Sequence, residues 1–345
     1  MSFWKKQPAS NSSTTIGPVT KPSDSSQVAT PLPDGYSWKS VSDATLVSEF
    51  LSINYSDDDS LMICYRPEMI RGLFGLSSFR SAYSLGLFHN HKMVGYIFGK
   101  EHTVTEIGRI LGVNFLCLDR DHRNLKMAPL LITELTRISY ASSIHYAIFA
   151  NGEDRGFAFT ALSYFHMPLN VPRLRPLIHI PGNFKQRLFS IRKTTAIATR
   201  DNLLVAAELL SNSNQRMLFS ESFTPEQFVE EFTTRPECNY TLFNSTTSEF
   251  ASFFVLDTKC LKTGNTFRRA YLHYFSGGPE IVEDALCYAQ NTLNLDLFDV
   301  LDMGRNETEI IDHFGFLPGT GHLFYHLFNY SVGLIGRSRV NFVLF

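Results

Sequence analysis

The stretch Asn114–Pro129, NFLCLDRDHRNLKMAP, decides how the rest of the chain is read. Its apolar run, Val113–Leu118, predicts a buried strand. A charged turn follows: Asp119, Arg120, Asp121, His122 and Arg123. A helical pattern then carries Met127, Leu131, Leu135 and Ile138, with Pro129 near its start. A strand, a basic turn and a helix N-terminus together form an anion trap, because free backbone N–H groups and the positive end of the helix dipole converge there. The glycine spacing of a nucleoside-triphosphate loop is absent. A pyrophosphate held in another way, such as that of coenzyme A, fits this turn, as does an ordinary solvated loop.

The other bulk properties narrow the classes. A chain of 345 residues has room for two domains or two fused halves. Thirty phenylalanines in a chain that is 44% hydrophobic suit either a Phe-rich core or a lipid-sized cavity. A net charge of −2 lacks the basic excess of a dedicated nucleic-acid binder. Cys64, Cys117, Cys238, Cys260 and Cys287 are scattered and form no CxxC pair, so neither a disulfide framework nor a zinc site is expected and a reducing compartment is. No apolar run of about 18 residues predicts a membrane span, and no apolar h-region follows Lys5 and Lys6, so no signal peptide is expected.

Along the chain, Phe3 and Trp4 sit in MSFWKKQP as large aromatics that a solvated tail would not keep, and are expected to dock on the body or on a ligand. Residues 9–31 read as a Ser/Thr/Pro-rich connector. A helix is expected over 43–53. Asp57, Asp58 and Asp59 follow Tyr55 as a solvated loop or as an acidic lip for a cationic substrate. A hairpin is expected over 82–88 and 92–98, turning at His89-Asn90-His91, a pair of histidines without an evident third metal ligand. A strand at 145–149 and a helix near Arg155–Tyr164 come next. In the second part, a helix is expected over 201–213. Thr224-Pro225-Glu226-Gln227 opens another with a capping box. Strands follow at 239–243, 249–256 and 268–275. Helix is expected at 279–292, strand at 296–303, a short helix at 307–313 and strand from His322. Gly319-Thr320-Gly321 precedes that strand rather than a helix, so it is no dinucleotide fingerprint.

The strand around Phe115, its helix and the strand near Tyr146 recur around Tyr271 and Phe298. Two fused copies of one α/β unit account for this. The chain closes on the apolar VNFVLF, Val340–Phe345, which is expected to be buried and would carry an α-carboxylate inward.

These features resemble the N-myristoyltransferase family. The resemblance rests on FWKKQP at 3–8, LPDGYSW at 32–38, NYSDDD at 54–59, NFLC at 114–117, YFHMPLN at 164–170, DALCYA at 284–289, FDVLDM at 298–303 and FGFLPGTGHLFYHLFNY at 314–330. Each is weak alone, but their common order spans both halves. It implies an α/β fold of two GNAT-like acyltransferase halves around a mixed, twisted sheet with pseudo-two-fold symmetry. It further implies an arm and connector at 1–31, an acyl-CoA half at 32–178, and a peptide-binding half at 179–345.

The implied reaction moves a myristoyl group from myristoyl-CoA, as co-substrate, to the N-terminal glycine amine of a protein, with no prosthetic group or metal. By resemblance, the backbone N–H groups of Phe115 and Leu116 form the oxyanion hole, released by a strand bulge. Phe345 supplies its terminal carboxylate as base for an amine of reference pKa about 7.7–8.0. Coenzyme contacts fall on Ser2, Phe3 and Trp4, on Phe115, Leu116, Cys117 and Leu118, and on Arg123, Asn124, Leu125, Lys126, Met127, Ala128 and Pro129. Peptide contacts fall on Tyr55, Asp57, Asp58, Asp59, Tyr65, Asn114, Tyr164, His166, Gly319 and Gly321. A cytoplasmic monomer, without nucleic-acid partner or transmembrane segment, is expected.

The chain departs from the family pattern at Asn124–Lys126 in the phosphate turn, at Ala150 in place of a threonine, at Leu272 in place of a serine, and at Thr320 in place of an aspartate. Two rival readings follow: a binding module for acyl-CoA or acylated peptides without turnover, and a GNAT-type enzyme with a shorter acyl donor.

Overall fold

A computed structural model describes residues 3–9, 16–20, 28–55 and 60–344. The first half runs β1 (Tyr36–Ser40), α1 (Ala44–Asn54), β2 (Leu61–Cys64), α2 (Pro67–Phe74), β3 (Ser84–His89), β4 (Lys92–Val104), β5 (Gly108–Leu118), α3 (Met127–Ala141), β6 (Ala147–Asn151) and β7 (Thr160–Pro168). The second half repeats that order: β8 (Thr195–Ile197), α4 (Arg200–Asn214), β9 (Phe219–Ser222), α5 (Pro225–Phe232), β10 (Asn239–Asn244), β11 (Glu249–Cys260), β12 (Thr266–Ser276), α6 (Pro279–Cys287), β13 (Leu297–Leu301) and β14 (Leu317–Phe328). A last short strand, β15, covers Val340–Asn341.

The helices begin where their capping chemistry permits. Asp43 accepts from the Thr45 and Leu46 N–H groups at the start of α1. Thr199–Asn202 and Thr224–Gln227 close capping boxes on α4 and α5, the second as the sequence predicts. Each such cap is worth about 0.5–2 kcal/mol.

These fifteen strands join one sheet, and among the described residues Gly17–Pro18 pairs separately with Tyr330–Ser331. In the first half β1, β3, β4 and β5 are antiparallel neighbours and β5 pairs parallel with β6. In the second, β8, β10, β11 and β12 are antiparallel and β12 pairs parallel with β13. The halves interlock by exchange. β14 lies against β6, β7 lies against β13, and β7 and β14 pair with each other at the centre. The short strands cross too: β2 joins β11, and β9 joins β4. One apolar core lies under α3, around Leu87, Ile97 and Leu131, and its counterpart under α6 holds Phe253, Ile281 and Phe298. A third core, with Phe98, Phe219 and Phe250, spans both halves. The fold is therefore α/β, with a mixed sheet and two repeated halves.

Three expectations are corrected. No helix forms near Arg155–Tyr164: β7 takes Thr160–Pro168, because pairing with β13 and β14 outweighs the local preference of Ala161 and Leu162. The helix expected over 279–292 is α-helical only to Cys287 and then widens into a π turn, Tyr288–Thr292. The strand expected from His322 begins at Leu317, as β14, so Gly319, Thr320 and Gly321 lie within its span, at a slip in register between Pro318 and His322.

Exchange makes each half depend on the other for the neighbours of its parallel pair. Residues 32–178 and 179–345 expressed separately should each lack a cooperative thermal transition. Co-expression should restore it, with near-UV circular dichroism as the readout.

Candidate functional site

The parallel pairing of β5 and β6 extends only over Leu111, Gly112 and Val113, against Ala147, Ile148 and Phe149. Beyond it the strands diverge, and a cavity of about 500 Å³ opens between them, within the roughly 300–1,000 Å³ range of small-molecule pockets. Asn114, Phe115 and Leu116 line one side, and Ala150, Asn151 and Gly152 the other. Ile132, Leu135, Thr136 and Tyr140 of α3 form a long wall. From Ile132 to Tyr140 the helix advances about 12 Å, so the space is an elongated channel with predominantly apolar walls. Its far end, by the direction of α3 and β6, is marked by Tyr140, His145 and Tyr146.

The bulge expected at the head of this channel is present. Phe98 is paired with Asn114 and Tyr96 with Cys117, so Phe115 and Leu116 together face Ile97 and leave the register. Phe115 has φ 55°; a non-glycine residue held in a sparsely populated region of this kind costs about 1–3 kcal/mol and persists only where packing enforces it. An aromatic cage supplies that packing. The Phe115 ring lies edge-on to Tyr65 at 4.8 Å and to Tyr55 at 6.1 Å, with Phe98 at 5.9 Å. Cys117 and Leu118, expected beside the coenzyme, are buried and outside the cavity lining.

Trp4 docks as its size predicts. It stacks on Phe149 at 5.1 Å, packs near Phe157 and forms part of the cavity wall; Phe3 packs edge-on against it.

Just past the bulge, at the C-terminal end of β5, Asp119 organises the charged turn. Its carboxylate accepts from the Asp121 and His122 N–H groups and lies 2.6 Å from His122 Nδ1 and 3.4 Å from Lys92 Nζ. Burial alone would raise its pKa, but His122 and Lys92 outweigh that and hold it below the usual carboxylate value. Lys126, at φ 58°, leads into α3. Asn124, Leu125 and Lys126 are exposed, Ala128 and Pro129 are half-buried, and Met127 is buried in the core. Arg123 does more than the sequence suggests. Its guanidinium donates to the carbonyls of Asn54, at 2.6 Å, and Leu118, tying the turn to the end of α1.

Of the expected peptide contacts, Tyr55, Tyr65, Asn114 and Tyr164 meet in the cavity wall. His166 is two residues along β7, its Nδ1 hydrogen-bonded to buried Asp299, which Arg269 Nε also contacts at 2.7 Å. Gly319 must be glycine: a Cβ there would lie 2.3 Å from His166 Nε2 and 2.8 Å from the Tyr164 carbonyl oxygen. Gly321 is less constrained, since a Cβ there would lie 3.1 Å from Tyr164 Cδ2. Ser2, Asp57, Asp58, Asp59 and Phe345 lie outside the described residues. Among the described residues no group of three or more His, Cys, Asp or Glu side chains could hold a metal ion.

Sequence reasoning missed Asn329. It is fully buried at φ 59°, a conformation that asparagine tolerates better than most residues. Its N–H donates to the Pro8 carbonyl, its side-chain oxygen accepts from the Thr20 N–H and hydroxyl, and its amide nitrogen donates to Tyr140 Oη and the His145 carbonyl. It thus fastens the N-terminal arm to the far end of the channel. The helical spacing of Met127, Leu131, Leu135 and Ile138 marks the packed side of α3 and gives no sign of that end.

The class of protein is a duplicated α/β sheet opened into an apolar channel beside a bulged strand and a helix N-terminus. Comparison with known proteins agrees. The family model for the N-terminal domain of myristoyl-CoA:protein N-myristoyltransferase matches residues 15–160, and that for the C-terminal domain matches 187–340. A probable glycylpeptide N-tetradecanoyltransferase of Caenorhabditis elegans is 25% identical over 91% of this chain and 77% of its own length. The glycylpeptide N-tetradecanoyltransferase of Plasmodium falciparum is 25% identical over 91% and 84%. The crystal structure of Saccharomyces cerevisiae N-myristoyltransferase with bound myristoyl-CoA superposes with a TM-score of 0.91 at 21% identity, over 100% of this chain and 99% of that one. The chain belongs to the myristoyl-CoA:protein N-myristoyltransferase family.

Asn329→Ala should release the arm. Limited proteolysis should clip it faster than in the parent chain, while the remaining body keeps its thermal transition within a few degrees.

Proposed function

We propose that this chain transfers a myristoyl group from myristoyl-CoA to the N-terminal glycine amine of protein substrates. The observation that carries the reading is the bulge at Phe115–Leu116 opening onto an elongated channel of about 500 Å³. In this reading the alkyl chain lies between α3 and β6, where burying it supplies about 0.8 kcal/mol per CH₂. The coenzyme phosphates meet the turn and helix start at Arg123–Pro129, and Phe3 and Trp4 cover the coenzyme with Ser2. The peptide occupies the side formed by Tyr55, Tyr65, Asn114, Tyr164, His166, Gly319 and Gly321, with Asp57–Asp59 as an acidic lip. The first half, 32–178, binds the donor in this reading, and the second, 179–345, adds Gly319, Gly321 and the terminal carboxylate to an acceptor side that first-half residues also build.

The chemistry is aminolysis of a thioester. The amine nitrogen attacks the carbonyl carbon, negative charge gathers on the carbonyl oxygen, and the Phe115 and Leu116 N–H groups stabilise it. The C–S bond breaks, and the coenzyme thiolate leaves and is protonated. The α-carboxylate of Phe345 accepts the amine proton. The nearest described support for that assignment is Leu344, which lines the same cavity. A cytoplasmic monomer belongs to the same proposal; among the described residues no helix is long and apolar enough to cross a membrane.

Turnover of myristoyl-CoA with a Gly-starting peptide tests the reading. Changing the first peptide residue to Ala should abolish acceptance, and acetyl-CoA and decanoyl-CoA should be poorer donors. A chain extended beyond Phe345 should bind myristoyl-CoA normally yet lose turnover by about 100-fold or more, as expected when a general base is displaced. Acyl-CoA binding without any turnover in the parent chain would instead identify a binding module.

A further inference from the structure

β15 pairs with β9 only at Val340 and Asn341. The chain then continues into the core as Phe342, Val343 and Leu344, with Phe342 and Val343 buried. Backbone polar groups carried into a core need partners, and two tyrosines supply them. Tyr325 Oη donates to the Phe342 carbonyl at 3.1 Å and accepts from the Leu344 N–H at 3.4 Å. Tyr274 Oη accepts from the Val343 N–H at 3.0 Å. Three successive residues are thus held by two hydroxyls, from β14 and β12.

The direction of the Tyr274 bonds is fixed from behind. Its hydroxyl donates to Glu221 Oε2 at 3.0 Å, which leaves the oxygen lone pairs for Val343. The other Glu221 oxygen is hydrogen-bonded to His102 Nδ1. Burial would raise the Glu221 pKa, but His102 and Lys100 hold it below the usual carboxylate value. Lys100 is itself hydrogen-bonded to Glu231 of α5. The His102 ring packs on Phe342 at 5.1 Å. Gly112 leaves room for both sides of this arrangement: a Cβ there would lie 2.5 Å from His102 Nε2 and 3.1 Å from Leu344 Cδ1. Strands of both halves therefore converge on the segment that leads to Phe345, and Leu344 faces the acyl cavity.

We infer that Tyr274 and Tyr325, with Glu221 and His102 behind Tyr274, are positioning residues for the general base. The inference rests on the reading that Phe345 carries the carboxylate that accepts the amine proton. These residues touch neither substrate; they set where the base can reach.

The test uses the full chain ending at Phe345, with Tyr274→Phe and Tyr325→Phe, and measures single-turnover transfer from the preformed myristoyl-CoA complex to a Gly-starting peptide. At about pH 7 each variant should be slower by about 10- to 100-fold, the order expected for a misplaced reacting group, while affinity for myristoyl-CoA stays unchanged. The loss should shrink as pH rises past about 8, where the peptide amine is already unprotonated. A merely structural defect would not be rescued this way. Parent rates at about pH 7, or a loss that is constant with pH, would overturn the inference. If a tyrosine variant does not fold, Glu221→Gln carries the test with the same expected pH rescue, and a parent rate in it at about pH 7 overturns the inference. The chain extended beyond Phe345 separates the two ideas. An inactive extended chain beside fully active tyrosine variants rejects the positioning and keeps the base; an active extended chain rejects the base itself.

Discussion

Beyond Val113, β5 and β6 lose their mutual hydrogen bonds, and the backbone groups released there must be satisfied by something other than the sheet. A divergence of this kind inside a core is costly unless it is useful. Here the released edge is made more demanding by the bulge at Phe115 and Leu116, which turns two consecutive residues out of the ladder. The rest of the site follows from that divergence. α3 closes the gap from one face and the arm residue Trp4 adds to its wall. The aromatic cage of Tyr55, Tyr65 and Phe98 holds Phe115 in a backbone conformation it would not otherwise keep.

The second half shows why one such opening suffices. β12 and β13 also pair parallel over three positions, Arg269 to Tyr271, and the register of β12 with β11 then slips at His273, the counterpart of Phe115. Two differences close this copy. The start of α6 already carries an anion of the protein's own: Glu249 accepts from the Gly278 N–H at 3.0 Å and lies 2.7 Å from Arg192 Nη1. Gly277 is required for that approach, since a Cβ there would lie 2.5 Å from the Glu249 side chain. The strand after the slip, meanwhile, is engaged by the segment Phe342–Leu344 through Tyr274. The first half instead presents a turn with Arg120, Arg123 and Lys126 at the corresponding helix start.

Local features were legible in the sequence and long-range ones were not. The capping box Thr224–Gln227, the strand before Asp119 and the helix from Met127 each follow from spacing over a few residues. The duplication was visible because whole elements recur in order. The exchange of β7 and β14 left no trace, because pairing between strands so distant in sequence depends on register and not on composition. The same blindness explains the misread segment before Tyr164, where a strand at the middle of a sheet loses the period-two alternation that marks a half-exposed one. At the site, Phe115 was assigned by resemblance, and nothing in its neighbours foretold the positive φ. Tyr325 and Asn329 fall inside the stretch 314–330 that carries the resemblance, and Tyr274 lies in β12, but their long-range partners leave no mark in local spacing.

Electrostatics then determine how much the bulge can do. Burial pushes the phenols of Tyr164, Tyr271 and Tyr325 well above their ordinary values. Burial also lowers His326 to about 4, and burial with Lys100 nearby lowers His273 to about 3, so both imidazoles are neutral near pH 7. Asp299 is matched by Arg269, and Glu221 lies against His102. The centre of the molecule is therefore polar but has few unbalanced charges. In such surroundings a pair of fixed N–H dipoles acts more strongly on a developing negative charge than it would in water, because little solvent or mobile charge screens it. A cationic side chain aimed at the same oxygen would also stabilise it, but would repel the ammonium form of an incoming amine. In the proposed reading, backbone donors at Phe115 and Leu116, held by strain and by an aromatic cage, avoid that conflict, so acyl transfer can proceed where most flanking side chains are apolar or neutral.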